Sequence, residues 1–141
     1  MFNPDKMIAN IVEKKLIKQG FTVIARFLLA YIFIVAGFGK IIGYTVTAGY
    51  MQSMGVPSAL LPLVILLELG GGLALLFGFQ TRTIALFLGV FSIVSALMFH
   101  GSADDVNAFR KNLAIAGGLF FITIYGGGVA CLDALFGKKP N

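Results

Sequence analysis

The chain has 141 residues, of which 58% are hydrophobic and only 12% are charged. Soluble domains have about 25% charged residues, so this composition excludes a disordered chain and an ordinary soluble enzyme. At about 20 residues per membrane-spanning helix, the length fits about four spans in one domain. The composition therefore predicts an integral membrane protein with the lipid bilayer as its main partner.

The formal net charge is +5, but the basic residues flank the apolar runs instead of forming a patch. Basic residues at the ends of membrane spans usually set orientation and contact anionic lipid, so nucleic-acid binding is not expected. The single cysteine, Cys131, excludes an internal disulfide.

Residues 3–19 are predicted to form an amphipathic helix within an N-terminal segment, residues 1–20. Asn3 can cap this helix and Pro4 suits its first position. An apolar stripe with lysines mostly off it is typical of a helix that lies at the headgroup level. A solvated tail with chance periodicity is the alternative.

Four apolar runs follow, at about 21–42, 58–79, 82–100 and 112–136. Each is long enough to cross about 30 Å of hydrocarbon as a helix, and an open sheet cannot satisfy its edges in lipid. The predicted fold is an all-α bundle of four transmembrane helices over residues 21–136, followed by a basic tail at 137–141. The tight turn at Gln80-Thr81 predicts that the second and third spans are antiparallel neighbours.

The predicted connections at 43–57 and 101–111 fall on one side of the bundle. Of the 11 Lys and Arg residues, only Lys40, Arg110 and Lys111 lie on that side. Because the basic excess belongs in the cytoplasm, both termini are expected inside a bacterial cytoplasmic membrane.

Small residues recur four positions apart, as in Gly70, Ala74 and Gly78. Such spacing favours close helix packing in lipid, where apolar side chains supply little drive for association. The alternative is that the glycines after Glu68 leave room for a ligand. Glycine-rich faces also permit a homo-oligomer.

Glu68 lies near the middle of the second span, where a charge costs at least about 2.5 kcal/mol. Polar groups of every other span lie in the same half of the bilayer, so we predict one polar pocket that opens outward. Its predicted members are Glu68, Lys40, His100, Lys111, Asn112 and Tyr44. In the alternative interpretation the cations reach the headgroups, and Glu68 is protonated and bonded to a carbonyl or a tyrosine.

Three charged residues are predicted at the opposite surface. Arg26 and Arg82 are expected mainly to anchor the orientation, and ion pairing of either with Asp133 is the alternative. No metal site is expected, because His100 and the acidic residues lack a recognisable ligand spacing.

The single histidine excludes bis-histidine haem ligation, and no nucleophile motif is present. A Lys, Glu, His and Asn set beside aromatic side chains can bind a quinone, because donors hold the carbonyls and flat apolar walls hold the ring. Proton conduction and binding of a small anion remain open from the residues alone.

Several stretches together resemble the DoxX-like family of small bacterial membrane proteins, over residues 21–134. They are Arg26, Gly37-Phe38-Gly39-Lys40, Tyr50-Met51, Gly55-Val56-Pro57, Glu68-Leu69-Gly70-Gly71, Gly78-Phe79, Thr81-Arg82, Phe99-His100 and the run from Phe109 to Gly118. The resemblance implies a four-helix protein of the bacterial inner membrane. Some relatives are small subunits of a thiosulfate–quinone oxidoreductase or belong to oxidant-defence assemblies. The matching stretches contain Arg26, Lys40, Glu68, His100, Lys111 and Asn112.

Three functions are therefore open. The first is a membrane subunit of a quinone-linked redox or oxidative-stress system, not an enzyme on its own, whose electrons would come through a bound quinone or a partner redox subunit. The others are a structural or scaffolding membrane protein and a small transporter or proton pathway. No intrinsic cofactor is expected.

Overall fold

The computed structural model describes residues 3–101 and 105–137, and in these residues it is helical without a strand. Asp104 and the predicted basic tail from residue 138 onward lie outside the described residues. The helices are α1 (Pro4–Val12), α2 (Lys15–Ile42), α3 (Tyr44–Ser53), α4 (Ser58–Phe77), α5 (Thr81–Phe99), α6 (Val106–Tyr125) and α7 (Leu132–Phe136).

Three of the described helices, α2, α4 and α5, are long and apolar enough to cross a membrane. Helix α6 has 20 residues, but its first two turns carry Arg110, Lys111 and Asn112. The all-α membrane fold with an amino-terminal helix is thus confirmed, with a fourth long helix that is more polar at its start than the other three.

The fourth helix differs in its bounds from the predicted span at 112–136. It begins at Val106, so part of the predicted loop at 101–111 is helical, and it ends at Tyr125. Gly126 and Gly128 have φ angles of 80° and 77°, a left-handed conformation that glycine adopts without a steric penalty and that ends the helix. After these glycines the chain changes direction and enters the short helix α7.

The amino-terminal helix begins as predicted but ends earlier. The Asn3 side chain accepts a hydrogen bond from the Lys6 amide at 3.2 Å, and Pro4 occupies the first helical position. Lys14, with ψ 123°, breaks the helix after Val12, and residues 15–19 belong to α2, which continues through Gly20. The break lies among exposed charged residues, where water can satisfy the freed backbone groups.

Neighbouring helices pack antiparallel through glycines. A Cβ atom on Gly37 of α2 would lie 2.7 Å from the Leu69 nitrogen of α4, and one on Gly89 of α5 would lie 2.8 Å from the Phe120 ring of α6. The predicted antiparallel pairing across the turn before Thr81 is confirmed by the contacts of α4 with α5. Ala30, Leu75, Ala85, Leu88 and Leu119 are fully buried between the helices.

The packing face of α4 is not the predicted one. Gly71 and Gly72 approach α5 and α2, whereas a Cβ atom on Gly70 would meet only the Leu66 side chain of its own helix. A π-helical segment, Leu66–Gly70, lies directly before these two glycines.

The bundle has two ends, the Lys40 end and the Arg26 end. The Lys40 end carries α3 and the start of α6. The Arg26 end carries α1, the turn at residues 78–80, and α7.

Candidate functional site

Glu68 lies in the π-helical segment of α4, and its side chain is only 8% exposed. Short π-helical segments inside α-helices occur frequently at functional sites, because the extra residue changes the direction in which side chains project. Here the segment directs the carboxylate between α2 and α5 at the Lys40 end of the bundle.

Lys40 of α2 forms an ion pair with Glu68, with 2.7 Å between Nζ and Oε2. Gly37 lies one helical turn before Lys40 and contacts the backbone of Leu69, so the missing side chain of Gly37 brings the two helices close enough for the pair. The Lys40 side chain is 27% exposed, whereas Glu68 is almost fully enclosed. The carboxylate therefore depends on this ammonium for its compensation.

The ion pair borders a polar cavity of about 240 Å³ between α2, α5 and α6. Five of the six predicted pocket residues line it, together with Ser92 and Ser95 of α5, which the sequence analysis did not single out. The five are Glu68, Lys40, His100, Lys111 and Asn112. Helix α6 begins at Val106, so Lys111 and Asn112 lie in its second turn, beside the cavity.

A second, apolar cavity of about 310 Å³ adjoins the same ion pair beneath α3. Its walls include Tyr50, Met51, Val56 and Phe99, and it shares Lys40, Glu68, Phe91, Ser95 and His100 with the polar cavity. The Tyr50 and Phe99 rings lie 5.7 Å apart, and the Tyr50 hydroxyl donates to the Phe99 carbonyl at 3.4 Å. Tyr50 was not among the predicted pocket residues, although it lies in a stretch that carries the family resemblance.

Tyr44 lines neither cavity. It is the first residue of α3, and its side chain is exposed. The residues of α3 that reach the apolar cavity are Thr47, Tyr50 and Met51, which lie further along the helix.

His100 lies at the end of α5, where both cavities meet. Its Nδ1 atom is 3.5 Å from the Asp105 carboxylate and has no hydrogen-bond partner within the described residues. The imidazole thus has hydrogen-bonding capacity toward a molecule in the cavities.

At the Arg26 end the predicted ion pairing is replaced by hydrogen bonds to the backbone. Arg26 donates to the carbonyls of Gly127 and Ala130 at 3.1 and 2.7 Å, and Arg82 donates to the carbonyls of Thr123 and Ile124. No carboxylate of the described residues lies within 4.0 Å of either guanidinium. The backbone carbonyls at the end of α6 lack hydrogen-bond donors within the helix, and the two arginines supply those donors.

Asp133 instead caps α5. Its carboxylate accepts hydrogen bonds from the amides of Gln80 and Thr81 and from the Thr81 hydroxyl, each at 2.7 Å. Burial raises the pKa of Asp133, but these hydrogen bonds and the nearby Arg26 charge outweigh it and hold the pKa below its usual value. The cap joins the end of the chain to the start of the third span.

Within residues 3–101 and 105–137, no group of three or more His, Cys, Asp or Glu side chains could hold a metal ion. The arrangement at the Lys40 end can instead donate hydrogen bonds, exchange protons and hold an apolar ring.

Comparison with known proteins gives the chain a family. The DoxX family model matches residues 21–101, which contain the ion pair and His100. "Inner membrane protein YqjF" of Escherichia coli (strain K12) is 52% identical over 129 residues, covering 89% of this chain and 98% of that protein. "Inner membrane protein YphA" of the same organism is 33% identical over 120 residues, covering 78% of this chain and 86% of that protein.

No solved structure is significantly similar to the chain. The two relatives support a bacterial inner-membrane location for this chain, and its helices embed it in the bilayer. By both the family model and the relatives, this chain is an integral membrane protein that belongs to the DoxX family.

Proposed function

We propose that this DoxX-family protein is a membrane subunit that binds a quinone beside the Lys40–Glu68 ion pair and serves a quinone-linked redox or oxidative-stress system. The observation that carries the proposal is an ion pair with a buried carboxylate, which borders an apolar cavity lined by Tyr50, Phe91 and Phe99. A volume of about 310 Å³ lies at the lower limit of ordinary ligand pockets.

The chemistry of the cavity walls suits a quinone. An ammonium has three N–H donors, so Lys40 can donate to a quinone carbonyl while it holds Glu68. His100 Nδ1 offers a second polar contact from the adjacent helix end. The rings of Tyr50 and Phe99 supply flat apolar walls for the quinone ring.

The redox step needs a partner. Reduction of a quinone to a quinol takes up two electrons and two protons. In this proposal a partner redox subunit supplies the electrons, and Glu68 and His100 exchange the protons with water that enters the polar cavity. A second copy of the chain is the alternative partner that its glycine-rich faces permit.

The test is quinone binding by the purified protein in mild detergent. We expect extraction and mass spectrometry to recover a quinone, and added quinone to raise the midpoint of thermal unfolding. Glu68→Gln should raise at least tenfold the quinone concentration that is needed for this rise, whereas Glu13→Gln, at an exposed residue just after α1, should leave that concentration unchanged. A protein that carries no quinone and shows no thermal shift would contradict the proposal.

The same variants separate the two alternative functions. A proton pathway predicts proton flux into liposomes that Glu68→Gln abolishes. If the protein is a scaffold, Glu68→Gln and Lys40→Ala should alter its assembly or stability, and neither substitution should change the binding of a ligand.

We further propose that both termini face the cytoplasm, which places the Lys40 end outside. The distribution of Lys and Arg supports this orientation. A reporter fused after Asn141 should be active only in the cytoplasm, and activity on the outer side would reverse the orientation.

A further inference from the structure

Helices α2 and α6 leave a groove between them at the Arg26 end of the bundle. Helix α6 packs mainly on α5, and α2 packs mainly on α4, so the two touch little. The space between them has a volume of about 830 Å³. Its deep end is closed where a Cβ atom on Gly118 would lie 3.4 Å from Leu29.

The groove has the length of one lipid leaflet. On α2 it runs from Lys15 to Leu29, which at 1.5 Å per residue is about 21 Å. Half of a hydrocarbon core is about 15 Å, and the remainder reaches the headgroup region. Leu29 lies near the middle of α2, so the groove ends close to the bilayer centre.

The walls and the mouth of the groove differ in chemistry. The walls are mostly apolar, and they include Phe121 and Tyr125, whose rings stack with centroids 5.9 Å apart. The mouth carries the exposed ammonium groups of Lys15 and Lys18. Among the described residues no acidic side chain lines the groove, so its charge is purely positive.

We propose that this groove is a binding site for one anionic phospholipid. An acyl chain lies between α2 and α6, and the phosphate accepts hydrogen bonds from Lys15 and Lys18. Each lysine near an anionic lipid surface contributes about fivefold in affinity, which corresponds to about 1 kcal/mol. The site is separate from the cavities at the Lys40–Glu68 pair and does not depend on the proposed quinone function.

The experiment uses tryptophan fluorescence, because the chain contains no Trp. Phe121→Trp places a sole tryptophan in the groove, and Phe87→Trp places one on a lipid-facing part of α5 that does not line it. Each variant is reconstituted in phosphatidylcholine vesicles with a small fraction of brominated phosphatidylglycerol or of brominated phosphatidylcholine with the same chains. Bromine quenches tryptophan on contact.

We expect brominated phosphatidylglycerol to quench the Phe121→Trp protein at a concentration at least fivefold lower than brominated phosphatidylcholine, with no such difference for Phe87→Trp. Adding Lys15→Ala and Lys18→Ala should abolish the preference. Adding Lys6→Ala and Lys14→Ala, which remove the same charge outside the groove, should retain it.

Three results would overturn the proposal. Equal quenching by the two lipids in the Phe121→Trp protein would mean that the groove does not select a headgroup. A preference that survives loss of Lys15 and Lys18 would place the charge recognition elsewhere. Absence of quenching by either lipid would mean that protein, such as a second copy of the chain, covers the groove.

Discussion

At the scale of single residues, the Lys40–Glu68 pair is the feature on which the candidate site depends. Glu68 is buried near the middle of a membrane helix, and a charge there is costly unless it is paired. Lys40 lies closer to the end of its own helix and is partly exposed. The two partners are therefore unequal, and their removal should have unequal effects.

We expect Lys40→Met to lower the free energy of unfolding by about 3 kcal/mol, because it leaves a buried carboxylate without its cation. Glu68→Leu should cost about 1 kcal/mol, since the Lys40 ammonium can extend toward the headgroups. The double variant should recover most of the loss. Reversible unfolding in mixed micelles measures all three, and a Lys40→Met protein as stable as the original would show that the pair does not stabilise the bundle.

At the scale of helices, close approach through glycine sets the position of the pair. Gly37 lies against the backbone of Leu69, next to Glu68, whereas Gly39 on the same helix has open space where a Cβ atom would lie. This contrast provides a matched test of packing against intrinsic helix preference.

Gly37→Ala should destabilise the protein by about 1–3 kcal/mol, because α2 and α4 must separate to admit the methyl group. It should also weaken binding at the cavities, since Lys40 moves with α2. Gly39→Ala should be neutral or slightly stabilising, because alanine favours the helix over glycine. Thermal unfolding in detergent compares them, and equal effects of the two substitutions would be inconsistent with this packing.

The cap on α5 is a second feature at this scale, and it makes a pH-dependent contribution. Asp133→Ala should cost about 1 kcal/mol, because it removes the acceptor for the first amides of the helix. The pKa of Asp133 is lower in the folded protein than its usual value, so the contribution is complete above about pH 4. It is lost as the pH falls through the folded value.

Unfolding of the original protein and of Asp133→Ala at pH 7 and at decreasing pH tests this prediction. The difference between the two should narrow below pH 4. A difference that stays constant through the acid range would mean that the carboxylate charge has no part in the cap.

At the scale of the whole molecule, Arg26 connects the first span to the end of the chain. Its guanidinium donates to carbonyls that follow α6, and the Asp133 amide donates to the Gly78 carbonyl at 2.9 Å. Three segments distant in sequence thus meet at the Arg26 end. Cys131, the sole cysteine, is buried at this junction.

Arg26→Met should loosen the junction and expose the Cys131 thiol, so that a maleimide labels it at least tenfold faster than in the original protein. Lys18→Ala, which removes a charge from the same helix without touching the junction, should not change the rate. Unchanged labelling of the Arg26→Met protein would show that the terminal segment is held in place by other contacts.

The sequence determined the class of the protein and the depth of its polar residues. Apolar runs of this length must be helical in lipid, because no water is present to satisfy the backbone. Position along a span fixes depth, so Glu68, Lys40, His100, Lys111 and Asn112 could be grouped before any contact was known. Asn3 and Pro4 marked the start of α1 because capping depends on local residues alone.

Only the tertiary structure decided which of these groups meet. Packing sets the rotation of each helix about its axis. That rotation decides that the serines of α5 line the polar cavity and that Tyr44 is exposed. The π-helical turn at Glu68 was likewise seen only in the folded chain. The tertiary structure also decided the partners of Arg26 and Asp133. Arg26 binds backbone carbonyls and Asp133 binds backbone amides, and the two side chains do not form an ion pair with each other. Those backbone groups become available only where α6 ends at Gly126 and α5 begins at Thr81, and these two ends lie far apart in the chain.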